Sequence, residues 1–262
     1  MKSTLGGVVL LTVAACAAGT MEDDAGDELG NDIDPADLDP DELDESADTD
    51  PCVGFAGGQL SGDDPLVLIN KKPDQLLRSD WAPAALVGVP AARMMPGRTS
   101  KLTQVALDAF VEMADAAKAE AQLTLGIRSG YRSFRDQCVT FRAKIAEHGL
   151  DHAKKFSAEP GRSQHQLGTT MDISSPRLDW ALLQSMGDKS EGKWMEANAH
   201  RFGFALSYPR DGEPVTGYGY EPWHFRFIGK AAAAEMKQSG LMLEQYLAMC
   251  GAGGPGLTCP RQ

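Results

Sequence analysis

The sequence predicts an α+β fold in which a small, mostly antiparallel β-sheet is flanked by helices. One observation is that apolar residues recur at helical spacing between Lys101 and Ala121. A second is that several short segments alternate apolar and polar residues and are rich in β-branched or aromatic residues, as strands are. The third is that long connections join these segments without a regular strand–helix–strand order, which argues against a parallel sheet. We expect one domain, from Cys52 to Gln262.

The start of the chain has the character of an export signal. The apolar run Leu5–Ala15 is too short to span a bilayer, which takes about 20 residues, but it suits the core of a signal peptide. The run ends in Val13-Ala-Ala-Cys16, which resembles the lipobox of bacterial lipoproteins, where the cysteine is lipidated. Ordinary secretion is the alternative, because Ala15-Cys-Ala17 also fits a small-x-small cleavage site. We expect residues 1–15 to be a lipoprotein-type signal peptide, Cys16 to be lipidated, and the protein to lie in the cell envelope.

The next segment is strongly acidic. Residues 21–51 contain fifteen aspartate and glutamate residues and no lysine or arginine. Such a segment repels itself and has too few apolar residues to form a core, so residues 16–51 are predicted to be a disordered linker. Calcium binding is the alternative, but the run lacks the ligand spacing of an EF-hand loop.

Most of the negative charge of the chain belongs to this linker. The whole chain carries −12, from 25 basic and 37 acidic residues. Without the fifteen linker acids and Lys2, 24 basic and 22 acidic residues remain, so the domain itself is close to neutral. No cluster of basic residues indicates a nucleic-acid partner. We expect a monomer that meets the membrane only through its lipid anchor.

Four cysteines follow Cys16, and outside the cytoplasm they can form disulfides. Four cysteines allow three pairings. We predict a disulfide across the Gly/Pro-rich C-terminal segment and a second one between the other two cysteines. A cysteine metal site is not expected, because the sequence has no Cys-x-x-Cys pair. The predicted pairs are Cys250 with Cys259, and Cys52 with Cys138.

The individual elements follow from local patterns. In the first half of the domain, Pro65–Asn70 is predicted to be a short apolar strand, followed by a proline-rich traverse over the surface. Helices are predicted at Lys101–Ala121 and Phe134–His148, with the strand Leu123–Ile127 between them. In the second half we expect strands at Thr170–Ile173, Phe202–Ser207 and Glu221–Ile228, and helices at Lys189–His200, Gly229–Gln238 and Leu241–Met249.

Two histidines and two carboxylates lie in or beside these strands. A catalytic zinc ion takes three protein ligands and keeps one position for water. His165, Asp172 and His224 can be those ligands, and Glu221 is then a carboxylate placed to act as general base. On a strand, Glu221 and His224 point to opposite faces, so a bend at Pro222 is required to bring them together. Spacing alone leaves a structural role for these residues equally open.

A motif with wider support decides between these interpretations. Ser163-x-His165-x-x-Gly168-x-x-x-Asp172 resembles the zinc-binding motif of the VanY-type zinc D-alanyl-D-alanine carboxypeptidases, which are related to lysostaphin-type peptidases and the hedgehog signalling domain. Five further segments resemble blocks of this family in family order, so that the resemblance covers residues 65–248. They are Leu66–Lys71, Ser129–Gln137, Trp194–Asn198, Gly203–Pro209 and Thr216–His224.

The resemblance implies roles for eight residues at a zinc site on the surface of the sheet. It implies one Zn²⁺ ion bound by His165, Asp172 and His224, with Glu221 as the catalytic base. Arg132 is implied to polarise the scissile carbonyl group or to stabilise the oxyanion. The substrate-binding positions that it implies are Gln137, Ser163 and Trp223, the last as a wall beside the metal.

The implied activity is removal of the C-terminal D-alanine from peptidoglycan stem peptides by a metal-activated water. A dipeptidase or endopeptidase of the same fold is one alternative, and the preference for a D,D- or an L,D-bond stays open. A catalytically silent, metal-containing cell-wall binding module is the other alternative. The presence of Glu221 and Arg132 argues against it, because a pure binding module needs neither residue.

Overall fold

A computed structural model describes residues 50–261 of the chain. The predicted signal peptide, the lipidation site Cys16 and nearly all of the predicted linker lie outside the described residues. Within residues 50–261, no helix combines the length and the apolar character needed to cross a membrane.

Within the described residues, six strands form two antiparallel sheets. The short strands β1 (Val87–Gly88) and β2 (Lys101–Leu102) pair with each other in a sheet that was not predicted. The larger sheet has the strand order β3-β4-β6-β5, and each neighbouring pair is antiparallel, which confirms the predicted fold class. Its strands are β3 (Gly126–Ser129), β4 (Thr170–Ser174), β5 (Phe204–Leu206) and β6 (His224–Phe227).

Seven α-helices lie in the described part of the chain. All five predicted helices are present, α2 with the predicted ends and the other four with shifted ends, whereas α3 and α5 lie in segments for which no element was predicted. The seven are α1 (Gln104–Ala121), α2 (Phe134–His148), α3 (Leu150–Phe156), α4 (Ser190–Asn198), α5 (Glu213–Thr216), α6 (Lys230–Ser239) and α7 (Leu243–Gly251).

The ends of two helices have local causes. Helix α1 begins at Gln104 rather than Lys101, because Lys101 and Leu102 pair with β1. Helix α2 begins with a capping box, in which the Ser133 side chain accepts from the Asp136 backbone N–H at 3.1 Å and the Asp136 carboxylate accepts from the Ser133 backbone N–H at 3.1 Å. Such caps contribute about 1 kcal/mol to helix stability.

The two faces of the larger sheet have different surroundings. Met171 on β4 and Phe225 on β6 are paired in register and belong to the main hydrophobic core, together with Phe110 and Met113 of α1. Burial of each of these side chains contributes about 1.5–3 kcal/mol. Because neighbouring residues of a strand point to opposite faces, the partners Asp172 and His224 lie on the other face of the sheet.

The predicted strand Pro65–Asn70 is wrong. The side chains of Leu66 and Ile69 are buried, but the segment joins neither sheet. The backbone carbonyls of Pro65 and Val67 instead accept hydrogen bonds from the buried guanidinium of Arg226, at 3.0 and 2.8 Å. Burial lowers the pKa of Arg226 to about 10. The carbonyls of this segment are thus satisfied by a buried cation on β6 and not by the backbone of a neighbouring strand.

The other predicted strands are correct in position. The one predicted at Thr170–Ile173 is only one residue shorter than β4, and the other three are too long or shifted. The strand predicted at Leu123–Ile127 occupies Gly126–Ser129, and the one predicted at Glu221–Ile228 begins only at His224. Both predicted disulfides are confirmed. Cys52–Cys138 joins the N-terminal part of the domain to α2, and Cys250–Cys259 joins α7 to the C-terminal segment.

The C-terminal segment is also held by the carboxylate of Glu235 on α6. Its Oε1 accepts from the backbone N–H and the hydroxyl of Thr258, at 2.6 and 2.8 Å. Its Oε2 accepts from the Tyr246 hydroxyl at 2.8 Å and from the Cys259 backbone N–H at 2.9 Å. These hydrogen bonds, that from the Thr258 backbone above all, lower the pKa of Glu235 to about 2.

Candidate metal centre

Three elements bring the predicted metal ligands together. Asp172 lies in the middle of β4, directly opposite His224, the first residue of β6. His165 lies in the short 3-10 turn Gln164–Leu167, which leads into β4 through Gly168. The candidate ligand atoms of the three residues lie within 4.8 Å of one another, and all three residues are buried.

The carboxylate of Asp172 lies between the two imidazoles. Its Oδ2 is 3.2 Å from Nε2 of His165, and its Oδ1 is 3.2 Å from Nδ1 of His224. Burial by itself raises the pKa of Asp172, but the two histidines, when they are protonated, more than offset this, so that the pKa lies well below its ordinary value. Asp172 is therefore an anion although it is completely buried.

The hydrogen bonding of His165 shows that these residues fit a metal ion. Its Nδ1 lies 2.6 Å from the backbone carbonyl of Gly130, which can only accept, so Nδ1 carries the proton. In the neutral ring, Nε2 then holds a lone pair, which faces the Asp172 carboxylate. Within residues 50–261, neither this Nε2 nor either carboxylate oxygen makes a well-oriented hydrogen bond. Two buried electron-rich groups in contact repel each other, and a cation bound between them would remove this repulsion. Two histidines with one carboxylate are ligands that suit Zn²⁺.

Glu221 reaches the same place from a turn rather than from a strand. The backbone N–H of His224 donates to the Glu221 carbonyl at 3.1 Å, which closes a turn through Pro222. The Glu221 N–H donates to the Tyr208 carbonyl at 3.0 Å and fixes the start of this turn. As a result, the Glu221 carboxylate is buried and its Oε2 lies 3.5 Å from Nδ1 of His224. The required bend at Pro222 is present.

Arg132 is fixed by several hydrogen bonds, one of them to the segment that carries His165. Its guanidinium is buried and donates to Oε1 of Gln137 at 2.8 Å and to the Ser129 hydroxyl at 3.3 Å. Ser129 is the partner of Asp172 in the β3–β4 ladder. The Arg132 backbone N–H also donates to the His165 carbonyl at 3.3 Å. The cation is therefore linked to the segments that carry two of the three ligands.

The remaining predicted site residues differ in their surroundings. Gln137 is fully buried, and its amide donates to the Ala158 carbonyl at 2.7 Å. Ser163 is buried at the start of the turn that carries His165. Trp223, in contrast, packs within the main hydrophobic core. Its predicted role as a wall beside the metal stays a prediction, as do the substrate contacts of Gln137 and Ser163.

The structure also shows neighbours of the site that the sequence did not predict. They are the carbonyl of Gly130, the side chain of Gln164 and the ring of Tyr208, whose centroid is 4.8 Å from that of His224. Gly130 acts through its backbone and leaves no side-chain signal. Gln164 lies inside the motif, between Ser163 and His165, and this position is the only signal that singles it out.

Comparison with known proteins decides the family. The family model of VanY, D-alanyl-D-alanine carboxypeptidase, matches residues 99–230, which is half of the 262-residue chain. The chain belongs to the VanY family. The matched region contains all eight residues that the sequence predicted for the metal centre and the substrate site.

Relatives of this VanY-family protein are found in bacteria. It is 38% identical to YodJ of Bacillus subtilis (strain 168) over 183 residues, which cover 69% of this chain and 66% of YodJ. It is 37% identical to a D-alanyl-D-alanine carboxypeptidase of Enterococcus faecium over 138 residues, which cover 53% of this chain and 41% of that protein. The chain thus spans less than two thirds of the length of either relative.

Solved structures support the same fold. The LdcB LD-carboxypeptidase matches with a TM-score of 0.63 and 38% identity, over 69% of this chain and 84% of that one. VanYB in complex with D-alanine-D-alanine matches with a TM-score of 0.58 and 28% identity, over 70% and 97%. A VanY D,D-pentapeptidase variant in complex with Zn(II) matches with a TM-score of 0.58 and 28% identity, over 70% of this chain and 98% of that one. The VanY family member described here therefore has the expected D-Ala-D-Ala-peptidase-like fold.

Proposed function

We propose that this VanY-family protein is a zinc-dependent carboxypeptidase that removes the C-terminal D-alanine from peptidoglycan stem peptides. The observation that carries the proposal is the buried group of His165, Asp172 and His224 with the Glu221 carboxylate 3.5 Å from His224. The Zn(II) complex of a VanY variant and the D-alanine-D-alanine complex of VanYB support it.

One Zn²⁺ ion would be held by His165, Asp172 and His224. When bound, zinc supplies Lewis acidity, which lowers the pKa of a water and polarises a carbonyl group. The protein's contribution is a fixed donor set, because Gly130 orients the His165 ring and the β4–β6 ladder sets Asp172 opposite His224.

Glu221 is the general base of the proposed reaction. Its carboxylate takes a proton from the attacking water and returns it to the nitrogen of the leaving D-alanine. The turn through Pro222 suits this role, because it places the carboxylate beside His224 while the Tyr208 carbonyl holds the Glu221 backbone.

Arg132 stabilises the negative charge that develops on the scissile carbonyl oxygen. A guanidinium that is already fixed loses little conformational freedom when the charge appears, which is the basis of electrostatic catalysis. The hydrogen bonds to Gln137 and Ser129 provide this fixation. Gln137, Ser163 and Trp223 are the proposed substrate-binding positions.

The same site is suited to a second activity, L,D-carboxypeptidase. This candidate is favoured by the likeness to LdcB, which is greater in identity and in TM-score than the likeness to VanYB. The two activities release the same amino acid and differ in the configuration of the residue before it. A dipeptidase or endopeptidase of the same fold would release a larger product.

The purified full-length protein, loaded with zinc, tests these alternatives with two defined stem peptides and mass spectrometry. One peptide ends in D-Ala-D-Ala and the other in an L-configured centre followed by D-Ala. We expect loss of one alanine from at least one peptide, abolished by a chelator, restored by zinc, and absent in Glu221→Gln. Zinc binding without cleavage of either peptide would contradict an enzyme and favour the binding module, whereas release of a dipeptide would indicate the dipeptidase.

We also propose that the domain acts in the cell envelope, attached through a lipid on Cys16 and the acidic segment that follows it. A cell-wall substrate and the lipobox-like sequence support this location. Membrane fractionation of cells that produce Cys16→Ser tests it. We expect the variant to leave the membrane fraction, and unchanged fractionation would contradict the lipid anchor.

A further inference from the structure

We propose that Gln164 is a positioning residue that selects the metal-binding tautomer of His224. The proposal rests on the metal centre of the proposed function. Gln164 is 6% exposed and lies in the same turn as His165. Its side-chain oxygen Oε1 is 3.3 Å from Nε2 of His224.

The chemistry of this contact assigns the proton on His224. An amide oxygen can only accept, so the contact requires the proton on Nε2. In the neutral ring, Nδ1 then carries the lone pair, and Nδ1 is the atom that faces the Asp172 carboxylate at 3.2 Å. The other tautomer would place a proton on Nδ1 and donate it to Asp172. That proton would have to leave before a metal could bind between the two residues.

Two neighbours therefore compete for the tautomer of His224. The Asp172 carboxylate favours the proton on Nδ1, because a charged acceptor makes the stronger hydrogen bond. Gln164 favours the proton on Nε2 and lowers the cost of preparing His224 as a ligand. The Gly130 carbonyl has the same effect on His165, but it belongs to the backbone and cannot be removed by substitution.

The orientation of the Gln164 amide has its own support. The Ser207 hydroxyl donates to the same Oε1 at 2.6 Å. Ser207 is fixed in turn, because its backbone N–H donates to the His224 carbonyl at 3.2 Å. A carbonyl oxygen has two lone pairs, one for each donor. Ser207 thus holds the Gln164 side chain beside His224, with the amide oxygen between the two donors.

A second glutamine in the same turn provides a matched control. Gln166 is 1% exposed, but its amide donates to the carbonyls of Arg78 and Trp81, both at 3.0 Å. It connects the turn to a neighbouring loop and makes no hydrogen bond with a candidate metal ligand. Loss of this amide should weaken the fold without changing the tautomer of His224.

The test measures zinc affinity at neutral pH by competition with a chromogenic chelator, and not peptide cleavage. Gln164→Met keeps the length of the side chain but removes the acceptor, and we expect zinc binding about 10- to 100-fold weaker. Gln164→Glu keeps an acceptor at this position, and we expect its zinc affinity to be within about threefold of that of the unsubstituted protein, or tighter. Gln166→Met should lower the melting temperature and leave the zinc affinity of the folded protein unchanged.

Two measurements cover the case in which Gln164→Met folds poorly. Ser207→Ala removes only the hydroxyl that orients Gln164 and should weaken zinc binding by a smaller factor. In the metal-free protein, ¹⁵N NMR of the His224 ring should show the Nε2–H tautomer in the unsubstituted protein and a shift towards Nδ1–H in Gln164→Met.

Three results overturn the proposal. They are an unchanged zinc affinity in Gln164→Met, an equal loss in Gln166→Met, and an unsubstituted protein that binds no zinc. The last result also overturns the proposed function. Zinc binding that depends on Gln164, without cleavage of any stem peptide, supports this proposal and contradicts only the proposed enzyme.

Discussion

Asp172 on β4 and Glu235 on α6 are both carboxylates with a lowered pKa, and their surroundings are opposite. Glu235 is partly exposed and accepts four hydrogen bonds, from Thr258, Cys259 and Tyr246. Asp172 is fully buried, and its neighbours are the rings of His165 and His224. In its neutral form, the His165 ring presents a lone pair to the carboxylate, because its proton lies on Nδ1 and is donated to the Gly130 carbonyl.

The difference separates a structural carboxylate from a candidate metal ligand. The donors around Glu235 stabilise the anion within the protein itself, so that this group contributes to folding. A buried anion whose oxygens have no well-oriented donor costs free energy, and it persists where a bound cation compensates for it. A low pKa therefore does not identify a functional carboxylate, whereas the absence of donors does.

The largest expected effect is that of Asp172→Asn. Removal of a direct ligand should weaken zinc binding by more than the roughly 10- to 100-fold that loss of a second-layer contact costs, and peptide cleavage should be abolished. The metal-free variant should be at least as stable as the metal-free parent, because a buried charge has been removed. Zinc titration and thermal unfolding without metal check both statements. A metal-free Asp172→Asn that is clearly less stable would show that Asp172 is a structural group like Glu235.

The reverse pattern is expected for Glu235→Gln. The substitution removes the charge and places an NH₂ group against donors that previously faced a carboxylate oxygen. We therefore expect the free energy of unfolding to fall by about 1–3 kcal/mol. Zinc affinity should not change, because Glu235 contacts the C-terminal segment and none of the candidate ligands. Denaturant unfolding and zinc titration measure the two quantities. Weakened zinc binding in this variant would contradict the separation of the two regions.

The stabilising effect of Glu235 should depend on pH in a defined direction. Its pKa is lowered from 4.5 to about 2 in the folded protein. The stabilisation is therefore fully present above the unfolded pKa and is lost as the pH falls towards about 2. We expect the stability difference between the parent protein and Glu235→Gln to shrink across this interval. A difference that stays constant from pH 6 to about pH 3 would rule out an ionised Glu235 as its cause.

The smallest expected effect is that of Tyr246→Phe, which removes one of the four donors to Glu235 and keeps the buried ring. Stability should fall by about 1 kcal/mol, the typical contribution of one hydrogen bond. In a double mutant with Glu235→Gln the losses should not add, because both substitutions break the same contact. Additive losses in a denaturant-unfolding cycle would show that the hydroxyl acts elsewhere.

The sequence predicted the sheet and the ligands better than their supporting contacts. Strand β4 and helix α2 follow from local patterns, and the motif around His165 identifies the candidate ligands. The two-residue strands β1 and β2 are too short to show a periodic pattern. Pro65–Asn70 has the composition of a strand, but its conformation depends on Arg226, about 160 residues away.

The contacts that orient the histidines were not predictable for a similar reason. Gly130 and His165 are 35 positions apart, and Gln164 and His224 are 60 apart. Their approach is a product of the tertiary fold, and no periodicity or spacing in the sequence reports it. The turn at Pro222 was anticipated only as a requirement, because Glu221 and His224 otherwise lie on opposite faces of a strand.

The disulfide Cys52–Cys138 has a mechanical consequence. It lies where the described chain begins, and Asp50 and Pro51 are bound to α2 as well, through Arg135 and Arg142. A pulling force on the chain before residue 50 would therefore enter the domain at α2, through a covalent bond, and not directly at a strand of the sheet. Cys138 is the direct neighbour of Gln137, so such a force would enter the domain one residue from the side chain that accepts a hydrogen bond from Arg132.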